Sequence, residues 1–192
     1  LWSLALTTTV VRRISGTGRV RVVDGERAMH SQPSALALSG DGAVLYGVDT
    51  AGCAVRAVDL DAARVRTIIG RADEGEGEDR VLADAGDADG AFPEARLRHP
   101  EDVALRPGGA GPGDDRLLVA DTRNARVRLI DPHARTVETW LEPGFRPAGV
   151  SVSTSPAGER FVFVADADTH RVVRVDPATR AVTPIEIEGL EG

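Results

Sequence analysis

This sequence predicts an all-β fold, a β-propeller of four-stranded blades with about three and a half blades present. Three observations lead there. Three segments align without gaps: Leu45–Asp59, Leu117–Asp131 and Val162–Asp176. Each carries an aspartate near its start (Asp49, Asp121, Asp166) and a second one ten residues on (Asp59, Asp131, Asp176), with a valine six further along (Val65, Val137, Val182). Each is preceded by an apolar run opened by a proline, at Pro33, Pro100 and Pro147. The runs are short, rich in β-branched residues and punctuated by turn residues, which is a strand signature.

The elements follow in order. Residues 1–16 match the outer two strands of a blade whose inner two are absent, because the spacing from Leu6 to Val11 repeats that from Leu60 to Val65. Residues 33–70, 99–141 and 146–188 are three blades. Between the first two lies 71–98, an acidic, Gly-rich inter-blade loop with Asp73, Glu74, Glu76, Glu78 and Asp79 in one run. It lacks the spacing of a calcium hand and reads as a solvated loop. With half a blade at its start, the chain is expected to form an open arc. Its end blades would expose strand edges and apolar faces, to be covered by missing blades or another chain.

The repeated residues have local roles. Asp49, Asp121 and Asp166 end strands, where a carboxylate can accept N–H bonds from the next turn. Three residues later stand Gly52, Asn124 and Thr169. Gly and Asn tolerate the left-handed conformation of a tight hairpin, so the third hairpin, with Thr169, is expected to differ. Asp131-Pro132 and Asp176-Pro177 suit turns with proline second, and Asp59 occupies the same repeat position. All these aspartates, with Gly52 and Asn124, are assigned to maintaining the fold.

Composition narrows the function. The 192 residues are 42% hydrophobic and 28% charged, as in globular domains, and no stretch approaches the ~18 apolar residues of a membrane helix. A net charge of −7 disfavours nucleic acid. Arg12, Arg13, Arg19 and Arg21 form a local basic cluster, but strand alternation would divide it between two faces. The single cysteine, Cys53, excludes an internal disulfide and falls in a hairpin turn as a partly exposed thiol. His30, His99, His133 and His170 occupy four different repeat positions, which argues against a zinc cluster. Ser151 and Ser153 lack a nucleophile elbow, and Gly16-Thr-Gly18 is followed by no lysine or predicted helix. No catalytic residue, metal or other cofactor is assigned. The chain opens Leu1-Trp2-Ser3 without a leader pattern or Met, so its natural N-terminus is expected to be missing. Localisation is not readable; the cytoplasm is favoured.

The segment Leu117-Leu-Val-Ala-Asp-Thr-Arg-Asn-Ala-Arg-Val-Arg-Leu-Ile-Asp131 resembles the NHL repeat. Ile14–Gly18 with Asp24-Gly25, Gln32–Leu38, Val55–Leu60, Gly86–Gly90 and Arg96–Pro100, in that order, are similar to the propeller of thioredoxin-like proteins that carry a C-terminal NHL domain. The resemblance implies a six-bladed ring of which this chain is part, and a preceding thioredoxin-like domain that would hold any redox cysteines. It further implies a non-catalytic module for protein interaction or scaffolding, with a protein partner. The alternative is a six-bladed propeller enzyme of the metal-dependent lactonase or lyase type. Lactonase-type propellers bind their ion at the central channel through Glu, Asp and Asn, whereas the one asparagine here, Asn124, falls in an outer hairpin. A partner surface is expected on one rim, where loops emerge, with Arg98, His99, Arg123, Arg126 and Arg171 as the most exposed candidates.

Overall fold

The computed structural model describes residues 23–25, 28, 30–72, 84–106 and 115–185. The half blade read over 1–16, the acidic run 73–79 and the N-terminal arginines lie outside the described residues. The described residues form a partial β-propeller. The first blade is an antiparallel sheet of β1 (Pro33–Leu38), β2 (Val44–Asp49), β3 (Ala54–Asp59) and β4 (Arg64–Ile69), hydrogen-bonded in chain order. The second has five strands. These are β5 (Gly90–Ala91), then β6 (Pro100–Arg106), β7 (Arg116–Asp121), β8 (Arg126–Asp131) and β9 (Thr136–Leu141), with β5 added beside β9. The third has β10 (Pro147–Thr154), β11 (Arg160–Asp166), β12 (Arg171–Val175) and β13 (Val182–Pro184).

One turn design recurs through these blades. Asp49 pairs across its hairpin with Ala54, Asp121 with Arg126 and Asp166 with Arg171, each leaving four loop residues. Asp59 and Asp131 do the same with Arg64 and Thr136 at the other end of the strand. The Oδ1 atoms of Asp59, Asp131 and Asp176 each accept the N–H groups two and three residues on, at 2.7–3.1 Å. The fourth loop residue then turns left-handed to re-enter the ladder: Cys53, Ala63, Ala125, Arg135, His170 and Arg180 all have φ between 48° and 62°. This corrects the expectation for Gly52 and Asn124, since the left-handed position is the residue after each. It also removes the reason for the third hairpin to differ, because His170 adopts the same conformation as Cys53 and Ala125.

The core lies between blades. Alternation sends Ala35 and Ala37 of β1, with Val48, Val55 and Ile69, toward Val103, Leu117, Val119 and Ile130 of the second blade. Leu118, Ala120, Val127 and Trp140 face Val150, Val162, Val164 and Val175 of the third. Trp140 is 2% exposed, and truncating a buried side chain of this size costs about 3–5 kcal/mol. Polar ties cross the inner strands as well. Asp102 Oδ2 accepts Val150 N–H at 2.8 Å, and the Ser34 hydroxyl donates to Glu101 O at 2.9 Å.

Residues 84–97 are not the solvated loop the composition predicted. Phe92, Ala95 and Leu97 are buried in the core between the first two blades, and β5 extends the second sheet. Three apolar residues spaced through an acidic segment were outweighed by its average polarity. At the close of the first blade, Gly70 (φ 90°) has no room for a side chain, because a Cβ there would lie 2.9 Å from Cys53 O.

The two end faces are open among the described residues. Leu36 and Leu38, pointing away from the second blade, are 64% and 48% exposed. On the far side of the third blade Val172 and Ile185 are 47% and 42% exposed, beside a pocket lined by Phe161, Phe163, Arg174 and Ile185.

A left-handed alanine costs about 1–2 kcal/mol in the folded chain, and glycine's greater unfolded-state freedom returns only part of that. Ala63 is exposed at φ 51°, so Ala63→Gly is expected to raise stability by about 0.5–1 kcal/mol, read from the urea midpoint.

Candidate functional site

The repeat aspartates sit where each blade's second hairpin strand meets the segment that leads into the blade. Asp49 is fully buried, and it accepts N–H bonds from Gly52 (3.1 Å) and Gln32 (2.8 Å) on Oδ1 and from Ser31 (2.7 Å) on Oδ2. Asp121, equally buried, accepts Arg98 N–H at 2.8 Å on Oδ1, and Asn124 Nδ2 and Arg128 Nε, both at 2.9 Å, on Oδ2. Asp166 spends its oxygens within its own hairpin, accepting Asp168 N–H, Thr169 N–H and the Thr169 hydroxyl. The tie to the third lead-in passes to Asp168, which accepts Arg146 N–H at 2.8 Å and Arg146 Nε at 2.7 Å.

Two arginines complete this arrangement, and the sequence reading missed both. Arg56 and Arg128 stand seven residues after Asp49 and Asp121 and are 1% and 0% exposed. Arg56 Nη2 donates to Asp24 Oδ1 (2.9 Å) and Val23 O (2.7 Å), and Nη1 lies 3.9 Å from Asp49 Oδ2. Asp24 also accepts the N–H and hydroxyl of Thr67. Arg128 joins Asp121, Asp87, Asp89 and the Thr139 hydroxyl, while Asp89 accepts Thr139 N–H at 2.9 Å. Each outer aspartate precedes a glycine of positive φ, Gly25 or Gly90, which bridges to Val65 or Val137. The signal was present as Asp-Gly twice and as Arg at one repeat position twice. In the third repeat Val173 takes that position, and the charged node is absent there among the described residues.

These environments act on protonation. Burial pushes Asp121 up from the ordinary carboxylate range, against the lowering by Arg98 N–H, Asn124 and Arg128. Burial lowers Arg128, but Asp121, Asp89 and Asp87 outweigh it and hold the guanidinium above its usual value. Arg56 stays below its usual value, because burial outweighs the opposing charges of Asp24 and Asp49. His30 is lowered from 6.5, first by burial and then by the Arg56 charge, against Asp49 and Asp24.

The candidate surface residues all fall at the end of the blades that carries the lead-ins and the Asp49, Asp121 and Asp166 hairpins. Arg98 and Arg123 are exposed and adjacent, with Arg123 N–H donating to Arg98 O at 3.1 Å. His99 is half-buried beside them at φ 53°, its Nδ1 3.3 Å from Glu101 Oε1. Arg171 is exposed on the hairpin of the third blade. Arg126 is less available than expected, since it is half-buried and paired with Glu142 and Asp87. Asn124 Nδ2 also donates to Gly86 O at 2.7 Å, pinning the 84–89 segment. The Cys53 thiol, expected to be partly exposed, is buried, and its Sγ accepts His99 N–H at 3.4 Å across the first blade boundary. Among the described residues no group of three or more His, Cys, Asp or Glu is arranged to hold a metal ion.

No protein-family model matches the chain. By sequence it is similar to NHL repeat-containing protein 2 of Bos taurus, at 28% identity over 82% of this chain and 22% of that protein. The Homo sapiens protein of the same name is 27% identical over 84% of this chain and 23% of its own length. The Arabidopsis thaliana chloroplastic protein SUPPRESSOR OF QUENCHING 1 is 26% identical over 92% and 17%. The chain thus spans less than a quarter of the length of these curated relatives. Among solved structures it resembles an auxiliary nutrient binding protein from Bacteroides ovatus, with TM-score 0.60 at 17% identity over 84% of this chain and 40% of that one. Kuenenia stuttgartiensis hydrazine synthase gives TM-score 0.53 at 19% identity over 92% and 40%. At such identities the structural likeness concerns the fold.

Removing one member of a buried ion pair strands the other charge. Arg128→Val, which installs the residue of the third repeat, is expected to cost about 3–5 kcal/mol in urea unfolding, whereas Arg171→Ala should stay within about 0.5 kcal/mol. For His30 the unfolded chain takes up a proton near 6.5 that the folded chain resists, so stability falls as pH drops below that value. Urea midpoints between about pH 8 and 5 should show this loss, and His30→Gln should remove that part of the slope.

Proposed function

The chain is a partial NHL-repeat β-propeller, and from that premise we propose that it serves as a non-catalytic module for protein interaction or scaffolding within a thioredoxin-like NHL protein. The observation that carries this reading is how the polar groups are divided. The oxygens of Asp49, Asp121 and Asp166 are committed to backbone and side-chain donors that hold hairpins and lead-ins. A carboxylate so occupied is a poor general base or metal ligand, because either task would require giving up bonds to buried donors. Meanwhile Arg98 and Arg123 are exposed on loops that rigid blades position, and Arg171 is exposed where β12 leaves its hairpin. Arginine suits a protein interface, since its planar fork of donors binds carboxylates and carbonyls with defined geometry.

The test pairs surface charge reversal with a metal assay on the full-length protein. Arg98→Glu with Arg123→Glu should leave the thermal midpoint nearly unchanged and weaken capture of the co-purifying partner about tenfold or more. Cross-links to that partner should map to the Arg98–Arg123 loops. Stoichiometric calcium or zinc accompanied by lactone hydrolysis or lyase turnover would overturn the proposal in favour of an enzyme.

A further inference from the structure

The three blades fill one pair of positions in three different ways. The first position is the lead-in residue whose N–H reaches a hairpin carboxylate: Gln32, Arg98 and Arg146. The second stands two residues after the strand-end aspartate: Ala51, Arg123 and Asp168. The two segments adjoin in every blade, because the carbonyls of Gln32, Arg98 and Arg146 accept N–H bonds from Thr50, Arg123 and Ala167 at 2.9–3.1 Å. In the third blade the pair is an ion pair, with Arg146 Nε 2.7 Å from Asp168 Oδ1. In the first blade both residues are uncharged, and in the second both are arginines. The fold therefore holds with opposite charges, no charge or like charges at this place, and it does not call for Arg98 and Arg123.

Both arginines are spared internal partners. They are exposed, and neither guanidinium makes a hydrogen bond or ion pair among the described residues. Acids of the same blade are engaged elsewhere: Asp87 and Glu142 pair with Arg126, and Asp121 pairs with Arg128. Glu101 lies 3.3 Å from His99 Nδ1. His99 is itself an addition to the repeat. Gln32 and Arg146 are followed directly by the proline that opens their blade, whereas His99 separates Arg98 from Pro100. It takes a left-handed φ of 53° in front of a proline, where extended backbone is preferred. Strain of this kind persists only where the surroundings over-determine it, and it gathers at binding sites. The extra residue sets Arg98 one residue further from β6 than Arg146 stands from β10.

We propose that Arg98 and Arg123 together bind a carboxylate side chain on an Asp/Glu-rich segment of a protein partner, which takes the place that Asp168 fills in the third blade. Neighbouring guanidiniums repel one another without a ligand, and a carboxylate shared by both removes that cost and gains charge-assisted hydrogen bonds. The planar fork of each arginine suits a carboxylate held at two points. The net charge of −7 weighs against a long polyanion such as nucleic acid, whereas a short segment meets mainly the field within a Debye length of about 8–10 Å. The inference rests on the reading of this end as a protein-interaction surface and names the chemistry that the surface selects.

A fluorescein-labelled hexaglutamate peptide, titrated into the chain and followed by anisotropy, tests it. The parent chain should bind the peptide, and affinity should fall as salt is raised toward about 0.5 M. Arg98→Gln/Arg123→Gln should weaken binding about tenfold or more with an unchanged thermal midpoint. Arg123→Asp, which installs the residue of the third blade, should pair with Arg98 internally and lower affinity as far while the chain stays folded. Arg64→Gln/Arg66→Gln removes the same charge from exposed positions of β4 and should bind as the parent does. The assignment is overturned if the parent fails to bind, if Arg98→Gln/Arg123→Gln binds equally well, or if Arg64→Gln/Arg66→Gln loses as much. Tighter binding of a single-stranded oligonucleotide than of the peptide would overturn it too. If the peptide fails while capture of the co-purifying partner still depends on Arg98 and Arg123, only carboxylate recognition is lost. If capture does not depend on them, the interaction surface itself falls.

Discussion

A buried carboxylate gathering N–H groups from two directions is the interaction on which the blades depend. Asp49 collects Gly52 from its own hairpin and Ser31 and Gln32 from the lead-in, and Asp121 does the same with Asn124 and Arg98. An ionised group out of contact with water is tolerable only when its lone pairs are filled, which makes the surrounding spacing strict. The hairpin must place its donors two or three residues on, and the lead-in must arrive beside the strand end. Proline at the first position of each blade pairs with this aspartate, and the register shifts immediately after it in all three blades. The aspartate thus sets both the turn and the point from which the next strand begins.

Arg56 and Arg128 extend that constraint outward. Each joins the central aspartate to a second one, Asp24 or Asp89, that caps the outer strand through Thr67 or Thr139. Buried ion pairs of this kind contribute little net stability compared with apolar packing, but breaking one is costly, so they act mainly to hold one arrangement. In the third blade Val173 replaces the arginine, and Asp168 with Arg146 secures the lead-in from an exposed position instead. The same architecture is therefore held by two different solutions, one buried and charged, one peripheral.

Much of this was legible along the chain, for an identifiable reason. A repeat prints its local hydrogen-bond geometry into fixed spacings, so the aspartates, the prolines and the strand alternation could be read directly. The αL residue was misplaced by one because Gly52 and Asn124 are the conformationally tolerant residues nearby. The turn instead puts φ near 50° on Cys53, Ala125 and His170, whose identities carry no such signal. Arg56 and Arg128 were passed over because arginine in a strand of alternating polarity reads as solvent-facing. Only the arrival of Asp24, Asp87 and Asp89 from distant segments makes their burial tolerable. Phe92, Ala95 and Leu97 were hidden by the same averaging that made residues 71–98 look uniformly polar.

The sequence by itself determined the all-β class, the blade repeat and the turn aspartates, since each depends on contacts within one blade. What tertiary structure alone decided was the environment of single side chains. Cys53 became buried at a blade boundary, and Arg126 was drawn into two ion pairs. Burial and charge at a point are sums over neighbours brought together by folding, and the spacing of residues within one repeat does not record which residue of the next blade will face it.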